Sequence, residues 1–146
     1  MKEIKARSSC PLSYTLDFFG DKWSLLILRD MMLSDKATYG EFLNSAEKIA
    51  TNILADRLSM LETYGFVTKQ VAPDKKSKFL YSPTEKGIAL VPVILEIGLW
   101  GSKFNPPGLD QNLLHALQTD KEGTIQRIQD KLRTKRQQSE SPRHEN

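Results

Sequence analysis

Cysteine is nearly absent: Cys10 is the only one in 146 residues, so no disulfide can close within the chain and no multi-cysteine zinc site can form. A bridge between two copies stays open. Histidine is scarce too, since His115 and His144 lie far apart and neither has a metal-ligand or nucleophile–base spacing around it. No glycine-rich phosphate loop or serine elbow occurs. The carboxylates Glu41 with Glu47 and Asp120 with Glu122 read as solvated surface rather than acid–base machinery. An enzyme is not expected, and neither is a metal or other cofactor.

Long apolar runs are missing as well. The densest stretch, Ile88 to Trp100, is shorter than a membrane span and contains Pro92 and Glu96, so it reads as a buried helix and no membrane partner is expected. Met1 to Ser9 alternates charge with small residues and has no apolar run behind it, unlike a signal peptide; a cytoplasmic location is expected.

What is present is one ordinary domain's worth of chain, long enough to bury a core without staples. Lysine and arginine number 21 against 18 aspartates and glutamates, and the pI is about 9.0. That leans towards an acidic partner, but so small an excess argues only through where the charges fall.

Pro11 to Phe19 reads as a first helix, with Leu12, Leu16 and Phe19 at helical spacing, a tolerated first-turn proline, and Gly20 as terminator. Lys22 to Leu33 is apolar on most of its surface and reads as a core helix. Thr38 to Asn44 is a short helix with Thr38 as N-cap. Ala50 to Tyr64 puts Ile53, Leu54, Leu58 and Leu61 on one stripe, with Gly65 at its C-terminus. Phe66 to Ala72 and Lys78 to Ser82 then read as two strands joined by a basic tip, Pro73 to Ser77. Thr84 is expected to cap a long helix running to about Phe104 and bent at Pro92. Asp110 to Gln118 and Asp120 to Arg136 read as two further helices, the second marked by Ile125, Ile128 and Leu132.

The order is informative. Three helices, the last two forming a short helix, a turn and a longer amphipathic helix, followed at once by a hairpin, outline a winged helix-turn-helix. The expected fold class is therefore mainly α with a small β-hairpin wing and extra C-terminal helices. At about 100° per residue, Asn52, Asp56, Ser59 and Thr63 fall opposite the apolar stripe of the fourth helix. That face suits a major groove, while Lys69, Lys75, Lys76 and Lys78 on the hairpin supply charge for phosphates. Either feature alone is ordinary solvated surface; together they point to double-stranded DNA. Lys22, Thr38, Tyr39 and Thr51 complete the expected DNA-facing set. Arg57 has two readings, a base reader or a half-buried ion pair, because its angular position lies near the apolar stripe.

Several runs then carry a resemblance. Cys10-Pro11, Gly20 to Trp23 leading into Leu25 to Arg29, Ile49 to Asn52 with Leu54, Arg57 and Leu58, and Leu61, Glu62 and Gly65 come in that order. Tyr81, Ser82 and Thr84 to Gly87 follow, then Trp100 and Gly101. This pattern, over roughly residues 10 to 101, resembles the HxlR-type regulators within the MarR-like winged-helix class. The chain departs from it at Asp21, where a second glycine is usual, at Pro83, where a leucine is usual, and in a lysine-rich rather than proline-rich wing. The resemblance implies a homodimer on pseudo-palindromic operator DNA, usually a repressor, paired through the first helix and the long C-terminal helix.

Leu12, Leu16, Leu90, Ile94, Ile97 and Trp100 are the expected dimerisation residues. Ile88 to Trp100 is apolar almost all round, more than one small core needs, which agrees with a second copy although a purely internal role also fits. The resemblance further implies an oxidant or small-molecule effector, with Cys10 as the redox-sensing residue. A thiol just before a helix N-terminus, with Lys5 and Arg7 near in sequence, suits that role; a half-buried cysteine without chemistry is the plain alternative. A winged-helix module that binds proteins instead of DNA is the competing function. The expected organisation is an arm (1–9), the winged-helix domain with its dimerisation helix (10–104), a helical extension (105–136) and a disordered tail (137–146).

Overall fold

The structure, a computed structural model, describes residues 3–140. The chain divides into two compact units, Met1–Thr84 and Glu85–Asn146. The division falls ahead of the long apolar stretch, so the expected dimerisation helix groups with the C-terminal extension.

The first unit holds α1 (Pro11–Phe19), α2 (Ser24–Leu33), α3 (Tyr39–Leu43), α4 (Thr51–Thr63), β1 (Val67–Ala72) and β2 (Lys75–Pro83). Its core is built where the helical stripes converge: Leu28, Leu54 and Leu61 have no exposed surface, and Phe42, Met60 and Val67 are nearly as enclosed. Each contributes roughly 1.5–3 kcal/mol by leaving water. Phe66, just before β1, receives the edges of Phe18 and Phe19 from α1, with ring centroids 5.5 and 5.0 Å away. The hairpin is anchored from the other side, since the Tyr81 amide of β2 donates to the Ala37 carbonyl ahead of α3 at 2.8 Å.

Two local expectations are corrected here, the start of α2 and the length of the wing loop. Gly20 ends α1 as expected, with right-handed φ and ψ, and a Cβ there would stand 2.6 Å from the Leu16 carbonyl oxygen. Gly65 does take the left-handed conformation (φ 79°) after α4. Helix α2 begins at Ser24 rather than Lys22, because the Asp21 carboxylate accepts from the Trp23 and Ser24 amides, each at 2.9 Å. The wing loop is shorter than five residues: Ala72 pairs with Lys75, and a bulge shifts the register beside Val71, which pairs with Phe79. Finally, the Thr84 hydroxyl donates to the Gly65 and Phe66 carbonyls, tying the end of the wing to its beginning.

The second unit holds α5 (Glu85–Ile88), α6 (Val91–Ser102), α7 (Gln111–Thr119) and α8 (Lys121–Glu140). The expected single bent helix is broken into α5 and α6, and the cause is Pro92. Without an N–H it leaves the Ile88 carbonyl without its helical donor, and the Gln129 side chain of α8 donates there instead at 3.2 Å. Ile88, Val91 and Leu95 are buried, as are Leu117, Thr124 and Leu132 from α7 and α8. Asp110 caps α7 through the Asn112 amide. Helix α8 runs on through Glu140, so residues 137–140, expected as disordered tail, are helical; the rest of that expected tail, 141–146, lies outside the described residues.

Candidate nucleic-acid interface

The helix-turn-helix is set by short-range polar chemistry. Thr38 and Glu41 form a reciprocal capping box on α3: the Glu41 amide donates to the Thr38 hydroxyl at 3.2 Å, and the Thr38 amide donates to the Glu41 carboxylate at 3.1 Å. Burial works against the Glu41 charge, but bonds from the Ala37 amide and from Thr38, with the charge of Lys78 on the wing, outweigh it and hold the carboxyl below its ordinary range. The turn between α3 and α4 is clamped from α2. Arg29 donates through two nitrogens to the Glu47 carboxylate at 3.0 and 2.8 Å and to the buried Asp30 at 3.0 and 2.7 Å. The Arg29 bond pulls the Glu47 carboxyl down despite partial burial, and the same bond raises Arg29 further above its already high value. Asp30 also accepts from the Ser45 hydroxyl and stands 3.7 Å from the Lys36 ammonium. Lys48 then turns the chain with a left-handed φ of 56°, and α4 starts three residues later.

What α4 presents outward differs from its sequence reading. Thr51, Asn52, Ala55, Ser59, Glu62 and Thr63 are exposed, whereas Leu54, Leu58, Met60 and Leu61 are buried. A cleft of about 610 Å³ opens between α3, α4 and the wing, and Tyr39, Ala55, Ser59, Lys69, Lys75 and Lys78 are among its lining. Asn52 opens elsewhere, onto a second recess with Asp21, Trp23, Asp56 and Arg57. The two faces of α4 are thus basic-rimmed on the wing side and internally ion-paired on the other.

The expected DNA-facing residues divide accordingly. Lys75, Lys76, Lys78, Thr51, Asn52 and Ser59 are exposed. Lys69 is exposed as well and lies over the Phe79 ring, 4.2 Å from its centroid, with Tyr81 next to it. Lys22 lies over Trp23 at 5.1 Å. Tyr39 is half-buried, and its hydroxyl donates to the Thr51 carbonyl at 2.8 Å, so it holds the first turn of α4 in place. Thr38 is corrected: it is 9 % exposed with its hydroxyl engaged in the capping box. Asp56 and Arg57 pair with each other, and Arg57 also stands 3.7 Å from Asp21, the half-buried geometry of the ion-pair reading. Ala55 and Glu62 were missed, although their helical angles fall between those of Thr51 and Ser59. The Arg29–Glu47 clamp has no local signal, because its partners are 18 residues apart.

The expected contact residues for a second copy are found partly exposed in each unit. On α1, Leu12 and Leu16 are exposed, with Tyr14 beside them. On α6, Ile97 and Trp100 are exposed and Ile94 is half-buried, as is Leu90 at its N-cap; Val93 on the helix and Phe104 just beyond it add exposed apolar surface that the sequence reading omitted. Cys10 is exposed at the N-cap position of α1. Arg7 is engaged elsewhere, on the Asp17 carboxylate at 2.5 Å, so its charge is not reserved for the thiol.

Comparison with known proteins agrees with this architecture. The sequence model of the HxlR-like helix-turn-helix family matches residues 18–108. The HTH-type transcriptional regulator YodB of Bacillus subtilis is 34% identical over 100 residues, 68% of this chain and 88% of YodB. Its reduced form has a TM-score of 0.53 at 32% identity and covers 70% of this chain and 100% of that one. The redox regulator HypR in its oxidized form has a TM-score of 0.59 at 32% identity over 66% of this chain and 98% of HypR. The crystal structure of PA1607 has a TM-score of 0.62 at 37% identity, covering 71% of this chain and 72% of that one. With its two-stranded wing following the helix-turn-helix, the chain belongs to the HxlR-like helix-turn-helix family, whose relatives are transcriptional regulators.

Proposed function

We propose that this protein is a sequence-specific DNA-binding repressor that occupies a pseudo-palindromic operator as a homodimer. The observation that carries the reading is the open face of α4 beside a wing whose exposed side chains include Lys69, Lys75, Lys76 and Lys78. A helix of this width fits a major groove about 12 Å across, and the wing lysines then meet flanking phosphates. Twofold pairing would set two copies of α4 about 34 Å apart, one helical turn of DNA. The exposed apolar residues of α1 and α6, Leu12, Leu16, Ile97 and Trp100, support pairing of two copies. The test is fluorescence anisotropy with the duplex upstream of the protein's own gene and with a scrambled duplex, across a salt series. Binding confined to the upstream duplex, falling steeply with salt, is the expected result. Equal, weak binding to both would leave a winged helix that binds a protein partner.

A response to oxidants or electrophiles through Cys10 is the second part of the proposal. Its support is the exposed thiol at the start of α1, together with relatives described as reduced and quinone-bound YodB and oxidized HypR. Cys10 lies outside the residues matched by the family model, so the support is positional. Adding diamide or a quinone should lower operator affinity of the native protein and leave Cys10→Ser unaffected. An unchanged response in Cys10→Ser ends this part.

A further inference from the structure

The corrected face of α4 has an apolar element at its centre. Thr51, Glu62, Ala55, Ser59 and Asn52 follow one another around about 100° of the helix, and Ala55 is the middle of that arc. It is exposed, it lines the cleft beside the wing, and it lies in the N-terminal half of the helix, the part that reaches base edges in helix-turn-helix proteins. Asp56, the next residue, is half-buried and paired with Arg57. A methyl side chain offers neither donor nor acceptor. In a major groove the one apolar group that can reward it is the C5-methyl of thymine.

We propose that Ala55 is a specificity-determining residue that reads a thymine methyl in each half-site. This deepens the DNA-binding reading above and rests on it. Neighbouring Ser59 and Asn52 supply hydrogen bonds but do not distinguish thymine from uracil, whose hydrogen-bonding edges are the same. Removal of one methyl from the contact costs a loss of affinity of about fourfold, corresponding to one buried carbon.

The experiment replaces each thymine of the operator duplex by deoxyuracil, one position at a time, and measures anisotropy with the full-length native protein, Ala55→Gly and Ala55→Ser. One symmetric position is expected to lose about fourfold with the native protein and nothing with Ala55→Gly. Ala55→Ser keeps the helix if Ala55→Gly loosens it, and should likewise show reduced discrimination at that position. Circular dichroism reports whether each variant is folded. Specific operator binding with no position sensitive to uracil, or with sensitivity unchanged in both variants, overturns the assignment. If the native protein shows no sequence preference at all, the DNA-binding reading fails first and takes this one with it.

Discussion

Helices α4 and α6 bury similar stripes and expose opposite ones. Leu54, Leu58 and Leu61 of α4 and Val91 and Leu95 of α6 are all enclosed. Yet α4 leaves out hydroxyl, amide and carboxylate groups, while α6 leaves out Val93, Ile97 and Trp100, the last 66% exposed. The buried stripe of a helix says only that it has a core to join. The exposed stripe says what it meets next: a polar row beside lysines fits a hydrated, charged groove, whereas aliphatic and aromatic side chains gain only by leaving water.

Breaking each stripe sharpens the contrast. The largest effect is expected inside: Leu58→Ala, at a site 2% exposed, should cost about 2–5 kcal/mol in urea unfolding, by the transfer and cavity terms together. A carboxylate on the apolar face comes next. Ile97→Asp should weaken self-association by at least tenfold in sedimentation equilibrium while hardly changing the stability of the isolated subunit, since that site is 53% exposed. An unchanged association constant would assign that face to something other than a second copy. On the other helix, Asn52→Ala should weaken operator binding more than scrambled-duplex binding, by about 1–3 kcal/mol, whereas Lys75→Ala with Lys76→Ala should weaken both and flatten the salt slope. Equal losses on both duplexes would remove Asn52 from the base readers. In the second unit, Gln129→Ala strands the Ile88 carbonyl that Pro92 leaves without a donor, and should lower stability by about 1–3 kcal/mol, read by thermal unfolding.

The smallest effect is one of pH. The Glu47 carboxyl is lowered from 4.5 chiefly by the Arg29 hydrogen bond, against partial burial, so its contribution is fully present above that value. It disappears as pH falls through the depressed folded value. Glu47→Gln should therefore flatten the acid limb of the melting temperature, and an identical limb in native protein and variant would show that the clamp is not ionic in effect.

Much of the first unit was legible because its signals are local. The span of α1, the N-cap at Thr38, the glycine after α4 and the two strands all follow from residues within a few positions of one another. The polar arc of α4 was legible too, apart from Ala55 and Glu62. Contacts between partners distant in sequence were not legible: Arg57 near Asp21, Arg29 on Glu47, Tyr39 on Thr51.

The sequence by itself therefore determined the element types, their order, the family and the placement of positive charge on the wing, since propensity, periodicity and capping act over one or two turns. Only the tertiary structure decided which polar residues remain available outside. A side chain's hydrogen-bonding capacity is finite, and whether Thr38, Arg57 or Gln129 turns it outward or inward depends on which carbonyl, amide or carboxylate folding brings within 3 or 4 Å.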